Sequence, residues 1–289
     1  MNSKTDFIIA PEDEYRLLDS GNEEKLEKFG EFVFRRPDPQ ALWNRQKDEN
    51  IWTEINAFYR TSDKGGKWET KDVPESFNTT IGGVTFELSL SHFKHLGIFP
   101  EQIPNWNWVR DTISKAGRPV KVLNLFGYTG GATIACLQGG ADVVHVDSSK
   151  TAITQANKNA ELSGVADKNV RWIPDDARKF VEREIRRGEK YDAIIMDPPA
   201  FGHGAKKELW KIEDDLLPLL ELSQKLLSDK PLFFILNGYA SGYSSVAYKQ
   251  NIDWLTEKYG GTIEHGELLI KETDADRFLP GGITARWSK

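Results

Sequence analysis

Three strand-like runs end in residues whose types and spacing suit one chemical task, gripping a ligand that carries a nucleoside. The first is Val122-Leu-Asn-Leu-Phe-Gly-Tyr-Thr-Gly-Gly-Ala132, an apolar run, a glycine turn, and a helix start rich in small residues, with Ala132, Ala135 and Cys136. Glycines in such a turn let the backbone approach a ligand closely. Amides at the following helix start face a ligand's carboxylate or ribose. The second run, Val143-Val-His-Val146, ends in Asp147. Asp147 lies about 20 residues beyond Gly127, the separation at which doubly wound folds hold ribose hydroxyls on a carboxylate. The third, Trp172-Ile-Pro-Asp-Asp-Ala177, puts Asp175 and Asp176 at a strand end, where a side chain meets an adenine amino group; Asp176, just before Ala177, is preferred. Each carboxylate alone reads equally as a solvated strand end or a helix cap. Three at successive strand ends favour the nucleoside.

A fourth run, Tyr191-Asp-Ala-Ile-Ile-Met196, leads into Asp197-Pro-Pro-Ala-Phe201. Proline donates no amide hydrogen, so Pro198 and Pro199 leave acceptors and a stiff backbone. The residue before each proline is held extended. Asp197 and the Pro198 carbonyl then suit a substrate nitrogen, and Phe201 suits stacking on a flat base. The competing reading is a strand terminator with Phe201 in the core.

These runs need a scaffold. From Val120 onward, apolar strands alternate with amphipathic helical stretches, the pattern of βαβ units in a mostly parallel sheet. Strands are expected at Lys121–Phe126, Asp142–Asp147, Val170–Ile173, Ala193–Met196, Leu232–Asn237, Gly261–Ile270 and Ile283–Trp287. Helical spacing appears at Ala152, Ile153, Ala156, Ala160 and Leu162, and at Leu216, Leu217, Leu220 and Leu227. The segment before the last strand, ending in Pro280-Gly-Gly282, is too short for a crossover helix, which favours an antiparallel final strand. Upstream, from Tyr15 to about Leu90, short extended runs are broken by turn signals. Gly82-Gly83 between Thr79-Thr-Ile81 and Val84-Thr-Phe-Glu-Leu88 reads as a hairpin. The expected division is a small β-rich domain over residues 1–92 and a ligand-binding α/β domain over residues 93–289.

The totals narrow the setting. Cys136 is the sole cysteine, so no intrachain disulfide or cysteine metal cluster forms, as in a reducing, cytoplasmic compartment. Met1 to Asp13 holds one short apolar run, too short for a signal peptide or membrane span. A net charge of −6 argues against unspecific adhesion to phosphate backbones. Basic groups at Arg183, Arg186, Arg187 and Lys190, at Lys206 and Lys207, and at Arg35 and Arg36 read as solvated faces. His92 and His95 lack a third ligand, so no metal is expected. His203, in Gly202-His-Gly204, is a loop histidine or a base near substrate. The nine tryptophans read mostly as core or interdomain residues, although Trp106 and Trp108 flank the segment His95–Gln102.

Leu123-Asn-Leu-Phe-Gly-Tyr-Thr-Gly-Gly131, Val146-Asp-Ser-Ser-Lys150 and Asp197-Pro-Pro-Ala-Phe201 together resemble class I S-adenosylmethionine-dependent methyltransferases. More narrowly they are similar to the bacterial 23S ribosomal RNA large-subunit methyltransferase branch. The resemblance implies a Rossmann-like doubly wound sheet of seven strands with an antiparallel last strand. It implies S-adenosylmethionine as cofactor, held by Asn124, Phe126, Gly127, Tyr128, Thr129, Gly130, Asp147, Ser148, Asp176, Ala177 and Asp197. His95-Leu-Gly-Ile-Phe-Pro-Glu-Gln102 resembles the segment that closes over the cofactor in this branch, so Phe99 and Gln102 would touch its methionine end. Leu17-Leu-Asp-Ser-Gly21 with Arg36-Pro-Asp-Pro-Gln-Ala-Leu-Trp43 resembles the branch's small β-rich domain.

A sulfonium methyl is already electrophilic, so the protein mainly aligns nucleophile, carbon and sulfur. Asp197, Pro198, Pro199 and Phe201 are the expected acceptor-side residues. In nitrogen methyltransferases with an Asp-Pro-Pro motif the aromatic commonly follows directly; here Ala200 intervenes, as in the ribosomal RNA branch. Members that methylate cytosine C5 need a cysteine, but Ile235-Leu-Asn-Gly-Tyr-Ala-Ser-Gly-Tyr243 offers no thiol, and Cys136 reads as packing. The leading expectation is methylation of an RNA base nitrogen. Alternatives are a protein or small-molecule methyltransferase and a non-catalytic nucleic-acid-binding module. A nicotinamide dehydrogenase would need Gly-x-Gly-x-x-Gly, which Gly127-Tyr-Thr-Gly-Gly131 does not match.

Overall fold

A computed structural model of the chain describes residues 3–62, 65–91, 94–203, 209–239 and 242–289. It forms two compact units, each discontinuous in sequence: Met1–Phe7, Pro104–Leu268 and Gly282–Lys289 in one, Ile8–Ile103 and Leu269–Gly281 in the other. These units depart from a single division between residues 92 and 93 in three places. The chain up to Ile103 stays with the N-terminal strands, Leu269–Gly281 returns to them, and Ser3–Lys4 joins the larger unit's sheet, in register with Glu264 and His265.

In the larger unit, α1 (Ile103–Ser114), whose first residue belongs to the other unit, leads to β1 (Lys121–Leu125), α2 (Gly131–Gln138), β2 (Asp142–Asp147), α3 (Lys150–Leu162) and β3 (Val170–Pro174). Then follow α4 (Ala177–Arg187), β4 (Ala193–Met196), α5 (Ile212–Gln224) and β5 (Phe233–Gly238). Helices Ser245–Ile252 (α6) and Trp254–Tyr259 (α7) precede β6 (Thr262–Lys271) and β7 (Phe278–Ser288). The sheet order is Ser3–Lys4, β6, β7, β5, β4, β1, β2, β3, with Phe7–Ile9 also paired to β6, so that two N-terminal strands add to the expected seven among the described residues. β1 pairs in parallel with β2 and β4, β2 with β3, and β4 with β5, while β7 runs antiparallel to β5. This is the expected doubly wound, mostly parallel sheet with an antiparallel last strand.

β4 and β5 are buried at every position, as strands covered on both faces must be. Helix ends follow their capping chemistry. Ser149 accepts from the Ala152 amide at the start of α3, and Gly188, at φ 71°, closes α4. In α5, Leu216, Leu219 and Leu220 face the core. Leu217 is exposed and Leu227 falls beyond the helix, so the leucine spacing placed the helix but not all its buried positions.

The smaller unit has a sheet of five strands among the described residues, from Tyr15–Gly21 through Gly65–Thr70, and a hairpin of Ser76–Ile81 with Val84–Ser89. Ile81 pairs with Val84, and Gly82 and Gly83 have φ 58° and 75°, the double left-handed turn that the glycine pair foretold. The returning Leu269–Gly281 is fixed by the Thr273 amide donating to the Leu17 carbonyl at 2.7 Å and by buried Glu272, which accepts from Ser20 and Arg277. These paired polar groups explain why that segment belongs with strands some 250 residues earlier.

Candidate active site

β1 and β4 are neighbours, with Leu125 opposite Met196, and the chain proceeds from them to opposite sides of the sheet. Such a reversal opens a crevice at the carboxyl ends of the strands. The glycine turn and the Asp-Pro-Pro motif leave those two ends, so they are adjacent by topology; the Asp197 amide reaches the Leu125 carbonyl at 3.4 Å.

The turn after β1 is unusual backbone. Phe126 and Tyr128 have φ 60° and 48°, and Gly130 has 92°. Non-glycine residues in this region cost about 1–3 kcal/mol and concentrate at ligand sites. Gly127 is required by a close approach, since a Cβ there would lie 2.4 Å from the His145 ring. Gly130 packs on Ala156 of α3, and the carbonyl of buried Thr129 accepts from Asn159 at 2.9 Å. The turn is thus built against α3 and β2 while Tyr128 stays exposed.

Asp147 is tied to that turn. Its Oδ2 accepts from the Tyr128 amide at 2.9 Å and its Oδ1 from the Ser149 amide at 2.8 Å. Burial pushes its carboxyl above the usual range, partly offset by these two amides. Ser148, between them, is half-buried. At the end of β3, the Asp175 amide donates to the Asp147 carbonyl at 3.1 Å, and Asp175 Oδ2 pairs with Arg183 at 2.7 Å. Asp176 caps α4, accepting from the Lys179 amide at 2.9 Å, and Ala177 is buried behind it. The helix-cap reading of Asp176 is therefore realised, and the cap fixes this carboxylate beside Asp147's loop.

Asn124 points inward. Its Nδ2 donates to Thr133 Oγ1 at 2.9 Å, and that hydroxyl meets His145 Nδ1 at 2.8 Å, all three residues buried. Burial lowers the His145 pKa to about 3, so the ring is neutral. Sequence reasoning passed over His145. Its only signal was a polar residue interrupting an otherwise apolar strand.

After β4, Tyr239 Oη donates to Asp197 Oδ2 at 3.3 Å from the loop following β5. Pro198 is buried, and Pro199 and Ala200 are exposed. Phe201–His203 pairs antiparallel with Leu209–Lys211 in a short hairpin whose Trp210 donates from Nε1 to the Pro199 carbonyl at 2.6 Å. Phe201 is 57% exposed, so it is not core. Cys136 is buried in α2, and burial pushes its thiol far above the usual range. Trp106 is core too, its ring occupying the space a Cβ on Gly131 would need.

Asn124 to Gly130, Asp147, Ser148, Asp176, Ala177 and Asp197 to Phe201 thus belong to one unit and to its carboxyl-edge loops, with Asn124 beneath them. Phe99 and Gln102 belong to the other unit, where the Gln102 amide donates to the Phe99 carbonyl at 3.1 Å and Gln102 is buried. Among the described residues no three His, Cys, Asp or Glu side chains gather as a metal site, and no helix is long and apolar enough to cross a membrane. His92, Gly204, Lys206, Lys207 and the His203 side chain lie outside the described residues. Arg183, Arg187 and Arg35 are partly exposed and in ion pairs, whereas Arg36 is buried against Glu27 and does not belong to a solvated face.

Residues 44–242 match the family described as S-adenosylmethionine-dependent methyltransferase. The chain is 31% identical over 202 residues to a ribosomal RNA large subunit methyltransferase I of Aeromonas salmonicida, covering 70% of this chain and 48% of that one. It is 30% identical over 224 residues to a ribosomal RNA large subunit methyltransferase K/L of Pseudomonas fluorescens, covering 76% and 27%. The chain therefore spans about half or less of the length of these curated relatives. A solved S-adenosylmethionine-dependent methyltransferase from Agrobacterium tumefaciens superposes with a TM-score of 0.94 at 37% identity, covering 98% of this chain and 93% of that one. One from Streptococcus mutans, at 18% identity and a TM-score of 0.72 over 97% and 76%, shares the fold. This chain belongs to the S-adenosylmethionine-dependent methyltransferase family, with S-adenosylmethionine as its cofactor.

Proposed function

We propose that the enzyme methylates a nitrogen of an RNA base, with ribosomal RNA as the substrate class. The observation that carries this is the adjacency of the two loops after β1 and β4, which sets Asp197-Pro-Pro beside the left-handed glycine turn. The turn fits the cofactor: Gly127 and Gly130 let it pack closely on buried His145 and Ala156, which holds its left-handed backbone in place. Asp147 offers a carboxylate, already oriented by two amides, to ribose hydroxyls. Ser148, Asp176 and Ala177 border the nucleoside, and Phe126, Tyr128 and Thr129 wall it. Asn124 supports the turn from below rather than touching the ligand. Bound S-adenosylmethionine supplies the electrophilic methyl.

On the acceptor side, Asp197 and the Pro198 carbonyl receive hydrogens from the substrate nitrogen and hold it in line. Pro199 stiffens the motif, and exposed Phe201 provides a face for an unpaired base. A covalent route through cysteine has no support in a thiol buried inside α2. The names of the relatives, and a basic character too low for broad duplex binding, favour unpaired RNA in a cytoplasmic setting. A second reading, a protein or small-molecule acceptor, is favoured by the net charge of −6. Labelled S-adenosylmethionine offered with large-subunit ribosomal RNA, ribosomal proteins or a metabolite extract separates them. The proposal expects label in RNA, at a nitrogen.

A further inference from the structure

The hairpin after the Asp-Pro-Pro motif makes a connection that the reaction as described does not use. Trp210 Nε1 donates to the Pro199 carbonyl at 2.6 Å, and the same indole lies 5.1 Å from the Phe126 ring at 58°. Phe126 is the residue with φ 60° that opens the cofactor turn. One side chain therefore touches both loops of the crevice, hydrogen-bonding one and packing on the other.

The hairpin is itself anchored to the motif. Phe201 pairs with Lys211 and Gly202 with Trp210, the Ile212 amide donates to the Ala200 carbonyl at 3.1 Å, and Asp215 accepts from the Lys211 amide at 2.9 Å. Trp210 thus has a fixed base. Two consecutive prolines carry no amide hydrogen, so inward hydrogen bonds from their own nitrogens cannot set the motif's orientation. An external donor to a proline carbonyl can.

We infer that Trp210 is a positioning residue for methyl transfer, clamping Pro199 so that the Asp197-Pro198 acceptors keep a set distance from the cofactor turn through Phe126. This rests on the reading of Asp197 as the acceptor-side residue. A shift of an ångström in that distance lowers the turnover rate more than binding, because alignment is what the protein supplies.

Trp210→Phe keeps an aromatic ring against Phe126 and deletes the donor. In the full chain, with labelled S-adenosylmethionine and large-subunit ribosomal RNA, it is expected to lower kcat by about three- to tenfold, the worth of one hydrogen bond. KM for RNA and the Kd for S-adenosylhomocysteine should stay within about twofold, with Tm unchanged. Trp210→Ala, which also removes the Phe126 contact, should weaken S-adenosylhomocysteine as well. A Trp210→Phe enzyme with wild-type kcat overturns the inference, and so does one whose kcat loss is matched by lost cofactor affinity or lowered Tm. Asp197→Ala in the same assay separates the two claims: retained turnover there removes the acceptor reading, whereas an inactive Asp197→Ala beside a Trp210→Phe enzyme with wild-type kcat removes only the clamp.

Discussion

The Tyr128 amide donates to Asp147 Oδ2 at 2.9 Å, joining the turn after β1 to the end of β2. Tyr128 makes this bond from a left-handed backbone position, φ 48°. A strained backbone position thereby orients a carboxylate before any ligand arrives, the pre-organisation that keeps binding energy from being spent on reorganisation.

Asp147→Ala should weaken S-adenosylhomocysteine binding by about 1–3 kcal/mol, since two hydroxyls lose a buried acceptor. Calorimetry measures it, and an unchanged Kd would remove Asp147 from the ribose contact. The pH dependence has a definite sign. Burial raises the Asp147 pKa, so the acceptor form is lost on acidification sooner than for an exposed aspartate. Affinity should fall as pH drops toward the carboxylate range, and Asp147→Asn should flatten that fall.

Asp197→Ala is expected to abolish turnover while cofactor affinity stays within about tenfold, because the carboxylate acts on substrate. Parallel loss of both would place Asp197 on the cofactor side only.

Gly127→Ala brings a methyl to 2.4 Å from the buried His145 ring. Overpacking of this kind costs about 1–3 kcal/mol, and here it also displaces the turn. Thermal melting should show lowered stability, and calorimetry weaker cofactor binding. Cys136→Ala, by contrast, should retain turnover, and loss of activity there would reopen covalent chemistry.

Glu101 is buried in the smaller unit, and burial pushes its carboxyl to about 7. A folded pKa above the unfolded one means the protonated form is favoured by folding. Stability from this group is full below the unfolded value near 4.5 and declines as pH rises through 7. Glu101→Gln should therefore raise Tm at pH 8 more than at pH 5, by up to about 3 kcal/mol of stability at the higher pH. Equal effects at both would show that Glu101 is not protonated in the fold.

Much of the larger unit was legible because buried parallel strands are written as uninterrupted apolar runs. Asp142–Asp147 and Ala193–Met196 are the strands the sequence indicates to the residue. The glycine turn was legible because only certain residue types tolerate its backbone. What stayed hidden depends on pairing across long separations. Nothing local tells that Glu272 will meet Ser20, that Ser3–Lys4 will join the sheet, or that Trp210 will reach Pro199. The motif shows Asn124 but not the hydrogen bond from its side chain to buried Thr133, which only three-dimensional packing decides.

The most direct test is a crystal structure of the enzyme with S-adenosylhomocysteine. The account predicts the ribose hydroxyls within hydrogen-bond distance of Asp147, and the sulfur facing Asp197-Pro-Pro across a gap of about one base-ring atom plus a methyl, near 6 Å. A ribose bound away from Asp147, or a sulfur turned from that motif, would contradict it.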